Sequence, residues 1–236
     1  MVISAGRRPP LWAWCVGLAL VSSAVSGMLF VQATDGHPSE LLHMERLVAQ
    51  APGNAETFRW AVILDMLGYY VLLAPLFVAV GRRLYDLGEQ GAGWWTIGAL
   101  MYVTAGSVAA MALAYGVPPI LEGYGQASGS GRQGLVLALT ALVEAAVRGV
   151  WQTLDPIVTG AWAIASGLAL GRLGRRFLGM VGVTLGSTAV LFAGLRAAGV
   201  QWAPVLYGVA AVFGVAIWVY VLGLSVWLWR DVRVRP

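Results

Sequence analysis

Long uninterrupted apolar runs are the feature that most constrains how this chain can fold. Several runs of about 18 or more residues carry almost no charge, and about 20 helical residues cross the roughly 30 Å hydrocarbon core of a membrane. Only 11% of the 236 residues are charged, against roughly 25% in a soluble domain. So little charge cannot cover a water-facing surface. The sequence therefore predicts an all-α, polytopic transmembrane helical bundle that forms a single domain over residues 1–236.

The apolar runs predict six membrane spans, of which the fourth is irregular. Residues 134–171 contain no obvious loop, and one helix of that length would reach about 57 Å. Asp155-Pro156 is the natural helix break, because the residue before a proline is pushed away from helical geometry. A short span then begins at Asp155, with an outer extension from residue 134. The spans are predicted at about 11–33, 57–80, 94–115, 155–171, 177–195 and 204–229.

The arginines predict the orientation of these spans. Basic residues concentrate in cytoplasmic loops close to span ends. Six spans with a cytoplasmic N-terminus place ten of the fifteen basic residues inside, whereas a seventh span over 134–154 would move the cluster at 172–176 outside. We therefore predict both termini in the cytoplasm. The ten inner arginines are Arg7, Arg8, Arg82, Arg83, Arg172, Arg175, Arg176, Arg230, Arg233 and Arg235.

A short amphipathic helix is predicted on the outer surface, between the first two spans. Over residues 38–51, apolar side chains recur at helical spacing on one face. Both histidines of the chain, His37 and His43, lie here among carboxylates, but their spacing matches no established zinc pattern. Cys15 is the single cysteine, which excludes multi-cysteine metal sites and disulfides within the chain. No metal site is expected.

Three ionisable residues are the candidate functional residues. Asp65 lies about two turns into the second span, where a carboxylate is costly and needs a partner. Glu144 and Arg148 belong to a polar stripe at positions 140, 144, 148 and 152, which is followed by Asp155, and their spacing favours an ion pair. Two interpretations stay open. Either the pair is structural, or the stripe lines a cavity that opens outward, in which Glu144 and Arg148 bind substrate or relay protons. Asp65 in turn is either paired structurally, with Arg148 as the favoured partner and Tyr69 as a hydrogen-bond neighbour, or it is a carboxylic acid that donates or carries a proton.

Small residues four positions apart mark faces on which helices can approach closely. Such pairs occur at 106 and 110, at 167 and 171, and at 182 and 186. These faces predict a packed bundle. Whether they contact other helices of this chain or a partner protein is left open by the sequence.

Several short patches resemble a known family. The second span contains residues 57–59 (Thr-Phe-Arg), Asp65 and residues 67–70 (Leu-Gly-Tyr-Tyr), and the turn at 171–172 (Gly-Arg) leads into 177–179 (Phe-Leu-Gly). In these patches, and in layout over most of the chain, the sequence resembles the bacterial six-helix membrane family catalogued as domain of unknown function 4386. That family has no assigned activity. The resemblance therefore implies a fold and a location in the bacterial inner membrane, without a mechanism or a site.

No reaction motif stands out, which favours a non-enzymatic role. We interpret the chain as an accessory or structural subunit of a larger membrane complex, in contact with membrane lipids and other subunits, without a cofactor. The alternative is a membrane-embedded enzyme or proton-linked transporter of a small or lipid-like substrate that uses Asp65, Glu144 and Arg148. The net charge of +4 does not indicate nucleic-acid binding, because the arginines flank the spans.

Overall fold

The computed structural model describes residues 9–36, 54–199 and 203–234, and every regular element in these ranges is helical. The predicted outer helix at 38–51 lies outside them. A 3₁₀ turn, Val71–Leu73, joins α2 to α3, and a π-helix, Glu144–Leu154, joins α5 to α6. The α-helices of the described ranges are α1 (Leu11–Ala33), α2 (Ala55–Tyr69), α3 (Ala74–Asp86), α4 (Ala92–Gln126), α5 (Ser130–Val143), α6 (Asp155–Arg172), α7 (Arg176–Ala197) and α8 (Ala203–Val234).

The helices have the length and composition of a multi-pass membrane protein. In the described ranges, five helical segments are long and apolar enough to cross a membrane, and two of them are composite, α2 with α3 and α5 with α6. Helix α8 is a further long helix, with no charged residue before Arg230. This agrees with the predicted all-α membrane class. The five segments are Leu11–Ala33, Ala55–Asp86, Ala92–Gln126, Ser130–Arg172 and Arg176–Ala197.

The fourth apolar segment is a continuous helical rod, which corrects the predicted break at Asp155-Pro156. Asp155 has helical backbone angles (φ −58°, ψ −50°), and the rod extends over 43 residues, Ser130–Arg172. At Asp155 the helix changes from π to α geometry without an interruption. In a regular α-helix, the ring of Pro156 would crowd the carbonyl four residues earlier. The wider π turns that precede it relieve this crowding and keep the chain helical.

Two hydrophobic cores are stacked along the bundle. The first joins α1, α3, α6 and α8 with the start of α4, and it contains the fully buried Phe77 and Tyr220. The second joins the end of α1, α2, the second half of α4 and the α5–π segment, around Phe58 and Leu139. Trp151 of the π-helix packs against both cores. Polar residues near Trp151 therefore lie between the two cores.

Helices α6 and α7 pack backbone against backbone along a row of glycines, which we call the glycine seam: Gly160 and Gly167 on α6, with Gly179, Gly182 and Gly186 on α7. A Cβ added at Gly160 would lie 2.8 Å from the carbonyl oxygen of Gly186, and one at Gly167 would lie 2.7 Å from that of Gly179. Real Cβ atoms essentially never come so close, so only glycine permits this approach. The small-residue faces predicted near 167 and 182–186 are therefore used inside the chain.

Contacts between distant segments gather several helix termini at one end of the bundle, which we call the arginine-rich end. Trp12, at the start of α1, packs edge-on against Trp229 of α8, with ring centroids 6.5 Å apart. Arg83, near the end of α3, forms an ion pair with Asp231 of α8. The loop between α3 and α4 reaches the end of α6 through a further ion pair, described next. Segments that the sequence predicts on the cytoplasmic side thus lie together.

The ion pair between Glu89 and Arg172 gives a small, pH-dependent contribution to stability. Arg172 donates from Nε and Nη2 to the two carboxylate oxygens of Glu89, at 3.1 and 2.6 Å. These hydrogen bonds lower the pKa of Glu89. Because the folded-state pKa lies below the unfolded one, the stabilisation is present above the ordinary glutamate value and is lost as the pH falls through the folded-state value.

Between about pH 6 and about pH 3, which spans the titration of glutamate, we expect the melting temperature in detergent to fall further for the wild type than for Glu89→Gln. The difference is expected to be small and to shrink in salt, because Arg172 is exposed and surface ion pairs are screened. The same pH dependence in both proteins would contradict the contribution of this pair.

Candidate functional site

A group of aspartates and tyrosines lies between the two cores, where α2, α4 and α6 meet. All of its members except Asp65 line a cavity of about 130 Å³, together with Trp151, Thr159 and neighbouring apolar residues. Since one water occupies roughly 30 Å³ in the liquid, the cavity has room for a small polar ligand or a few waters. We call the group the aspartate–tyrosine cluster: Asp65, Tyr69, Tyr70, Tyr102 and Asp155.

The position of Tyr70 follows from the interruption between α2 and α3. Pro75 lies in the first turn of α3, where its missing N–H is tolerated, and a regular helix cannot continue through it. Helix α2 therefore ends at Tyr69, and Tyr70 leaves the helical region with φ −120° and ψ −73°. Its ring occupies the space beside Gly106 on α4, where any side chain would collide with it. The Tyr70 and Tyr102 ring centroids are 4.7 Å apart.

Hydrogen bonds tie the cluster to three helical segments. The Tyr70 hydroxyl donates to Oδ2 of Asp155 at 2.5 Å, in a buried contact. The Tyr102 hydroxyl donates to the backbone carbonyl of Tyr69 at 2.9 Å. Thr159 donates to the backbone carbonyl of Asp155 at 2.5 Å, one turn earlier on the same helix. Of these bonds, the one from Tyr70 holds the Asp155 side chain, and the other two are made to backbone carbonyls.

Asp155 retains an unused acceptor inside the cavity. The residue is only 5% exposed, and its Oδ1 is buried without a hydrogen-bond partner among the described residues. Trp151 lines the same cavity, and its Nε1 is also buried without a partner in that part of the chain. Buried polar atoms left unpaired are costly and rare in folded proteins. The cavity is therefore suited to a proton on Oδ1, or to a small ligand that offers a donor there and an acceptor to the indole.

Asp65 is the second carboxylate of the cluster, and its predicted partner was wrong. It is partly buried, and the acidic group that interacts with it electrostatically is Asp155. In the described residues, Asp65 forms neither an ion pair with Arg148 nor a hydrogen bond with Tyr69. The structure thus places two carboxylates near each other.

The ion pair predicted between Glu144 and Arg148 is present, with Nη1 of Arg148 3.0 Å from Oε1 of Glu144. The two side chains are 44% and 48% exposed, respectively. The stripe does not continue along one face, because π-helical turns contain more residues than α-helical ones. The Thr153 hydroxyl accordingly donates to the carbonyl of Arg148, five residues earlier. Gln152 accepts a hydrogen bond from Arg196 of α7. The polar stripe is therefore satisfied by itself and by α7, outside the aspartate–tyrosine cluster.

Three members of the site, Asp155, Tyr70 and Tyr102, were not predicted from the sequence. Asp155 was interpreted as a helix break and as the residue that follows the polar stripe, and it was not among the candidate functional residues. The principle applied to Asp65, that an ionisable residue in an apolar segment marks a functional site, applies equally to Asp155 and would have found it. Tyr70 and Tyr102 carry no such signal, since aromatic residues in membrane helices more often contact lipid or fill the core.

Comparisons with protein-family models, with curated proteins and with solved structures found no match to this chain. The resemblance to the six-helix family therefore stays a prediction. Within the described residues, no three histidine, cysteine, aspartate or glutamate side chains are grouped so that they could hold a metal ion. His37 and His43 lie outside those residues.

Proposed function

We propose that this chain is a proton-linked membrane carrier for a small substrate, in which Asp65 and Asp155 take up and release the proton. The observation that carries the proposal is the buried, unpartnered Oδ1 of Asp155, which lines the central cavity next to a second carboxylate. Ionisable groups inside membrane helices mark proton relays and transport pathways in general. A carrier also requires a small cavity between packed helices, and the cluster supplies one.

The charges around the two carboxylates favour a proton as the bound species. The titratable groups that line the cavity with Asp155 or interact with it electrostatically are Asp65, Tyr69, Tyr70 and Tyr102. None of these is basic, and the described residues place no arginine in contact with either aspartate. A carboxylate in a low-dielectric environment is costly without a compensating cation or proton. Because Tyr70 already donates to Oδ2, Oδ1 is the atom on which the proton would reside.

The six-span arrangement is part of the proposal: both termini lie in the cytoplasm, and the bacterial inner membrane holds the protein. The contacts of Trp12 with Trp229 and of Arg83 with Asp231 support it, because they link segments that this topology places on one side. The Glu89–Arg172 pair links two further segments of that side. The inner arginines would then face the cytoplasm, in agreement with the positive-inside rule.

The accessory-subunit interpretation loses part of its support. It rested on the absence of a reaction motif and on small-residue faces that a partner could cover, and the glycine seam shows such faces covered within the chain. Glu144 and Arg148 also leave the proposed mechanism, because they pair with each other at a half-exposed position. If the protein purified from native membranes always carried a second subunit in fixed ratio, the accessory role would be favoured again.

The carrier proposal is tested by following the carboxyl groups directly. Infrared difference spectra of the purified protein, recorded across a pH titration, are expected to show a C=O band of a protonated buried carboxyl. We expect Asp155→Asn and Asp65→Asn each to remove or shift this band, and Tyr70→Phe to shift it, because the hydrogen bond to Oδ2 is lost.

Glu144→Gln is the matched control, since it removes a carboxylate from the same rod without touching the cluster. It is expected to leave the band unchanged. A band that survives in both aspartate variants, while the variants stay folded by circular dichroism, would refute proton binding at this site.

A further inference from the structure

A second cavity, distant from the aspartate–tyrosine cluster in sequence, lies between α7 and α8 at the arginine-rich end. Its volume is about 620 Å³. Three arginines line it: Arg175, Arg176 and Arg230. All three are exposed, and none of their guanidinium groups forms an ion pair or hydrogen bond in the described part of the chain. The remaining lining is largely apolar and includes Phe177 and Trp227.

The cavity continues along the two helices as an apolar groove. A neighbouring cavity of about 300 Å³ shares Phe177 and Val181 with the first and extends as far as Thr188. From Arg176 to Thr188, α7 rises by about 18 Å. One leaflet of the hydrocarbon core is roughly 15 Å deep, half of the full thickness. The groove therefore extends from a cluster of positive charge across about the depth of one leaflet.

We propose that this groove binds one anionic phospholipid, with its phosphate held by Arg175, Arg176 and Arg230 and an acyl chain lying between α7 and α8. Guanidinium groups bind phosphate through paired, charge-assisted hydrogen bonds. Helix α7 begins at Arg176, so the positive end of its dipole adds to the attraction. Basic pockets between membrane helices bind anionic lipid headgroups in this way.

Other occupants explain the groove less well. A zwitterionic lipid would fill the apolar part but leave the three arginines with no net negative charge to bind. Free phosphate would satisfy the arginines but leave the apolar groove without a function. A second copy of the chain, docked through the same surface, would bring its own three arginines against these. The anionic phospholipid alone matches both the charge and the apolar length.

The site is tested by native mass spectrometry of the purified protein with added phosphatidylglycerol or phosphatidylcholine of identical acyl chains. We expect one phosphatidylglycerol to bind at least ~10-fold more tightly than phosphatidylcholine. The triple variant Arg175→Gln, Arg176→Gln, Arg230→Gln is expected to weaken phosphatidylglycerol binding roughly 100-fold, at about fivefold for each arginine. Arg82→Gln, an exposed arginine near the end of α3, is the matched control and is expected to bind as the wild type does.

The acyl-chain part of the site has its own test. A Cβ added at Gly223 on α8 would come within 2.7 Å of Leu178, so Gly223→Leu fills the groove while the arginines remain. We expect this variant to bind phosphatidylglycerol at least ~10-fold more weakly, and inorganic phosphate not to displace the lipid from the wild type. Equal binding of the two lipids, an unaffected triple variant, or full displacement by phosphate would each overturn the proposal. Since the arginine side chains are exposed, their replacement leaves the fold intact and keeps the test informative.

Discussion

Gly167→Ala is expected to lower the free energy of unfolding by about 1–3 kcal/mol, the usual cost of forcing extra volume into a packed interface. The added methyl group would meet the carbonyl oxygen of Gly179 at 2.7 Å, and neither backbone can yield without separating α6 from α7. Gly167→Leu is expected to prevent the two helices from closing at all. The measurement is an unfolding titration with a denaturing detergent in mixed micelles, followed by circular dichroism.

Two other glycines on the same helices serve as controls. A Cβ added at Gly171 of α6 or at Gly194 of α7 has no neighbouring atom within 4 Å. Because alanine is favoured over glycine in a helix interior by about 1 kcal/mol, Gly171→Ala and Gly194→Ala are expected to cause no loss of stability. If Gly167→Ala were as stable as Gly171→Ala, α6 and α7 would not be packed through the glycine seam.

Arg83→Ala and Asp231→Ala are each expected to destabilise the protein by about 1–3 kcal/mol. The two side chains are 20% and 12% exposed, so the removal of one leaves a largely buried charge without its partner. Loss of one member of a fully buried pair costs about 3–5 kcal/mol, and we reduce this range because water reaches both groups here. The exchange Arg83→Asp with Asp231→Arg is expected to recover most of the loss. A double-mutant cycle of unfolding free energies measures the coupling.

Arg82→Ala is the matched control for this pair, since Arg82 is exposed and has no partner in the described residues. It is expected to change stability by less than ~0.5 kcal/mol. If the losses of unfolding free energy in the two single variants were additive, and the exchanged variant recovered no stability, Arg83 and Asp231 would not be in contact. In that case the end of α8 would not be held against α3, and the shape of the lipid groove beside α7 would have to be reconsidered.

The proton and lipid proposals concern different parts of the molecule, so their failures are distinguishable. Asp155→Asn removes the unpartnered acceptor of the central cavity and leaves the arginines untouched. The triple arginine variant removes the three arginines of the groove and leaves Asp155 and the central cavity unchanged. A loss of lipid binding in Asp155→Asn would indicate that the α6 junction and the α7–α8 groove are conformationally coupled, which neither proposal requires.

The class of the protein and much of its layout could be predicted from the sequence, because both follow from local chemistry. Twenty consecutive apolar residues have few alternatives to a membrane helix, since each buried backbone group must be paired within the segment. The Glu144–Arg148 pair was predictable for a related reason: a spacing of four keeps the two side chains adjacent on a helix whatever surrounds them.

The continuous helix through Asp155-Pro156 could not be predicted from the sequence. Local rules state that a proline disturbs the helix before it, but they do not say how the disturbance is absorbed. Here eleven residues of π-helix absorb it, held in place by Trp151 between two cores and by the bond of Gln152 to Arg196 on α7. Those contacts come from other helices, which local sequence rules do not place.

The long apolar runs of the sequence therefore determined the class of protein, the approximate bounds of its helices and where its charges could lie. Only the tertiary structure decided which polar residues meet. Tyr70 and Asp155 are 85 residues apart, and they form a hydrogen bond because the turn before Pro75, the missing side chain at Gly106 and the π-helix orient three helices toward one cavity. A long apolar run determines that a segment forms a helix and is shielded from water. The partner of each polar atom depends on how the helices rotate and pack against one another, and this rotation is set by contacts along the whole bundle.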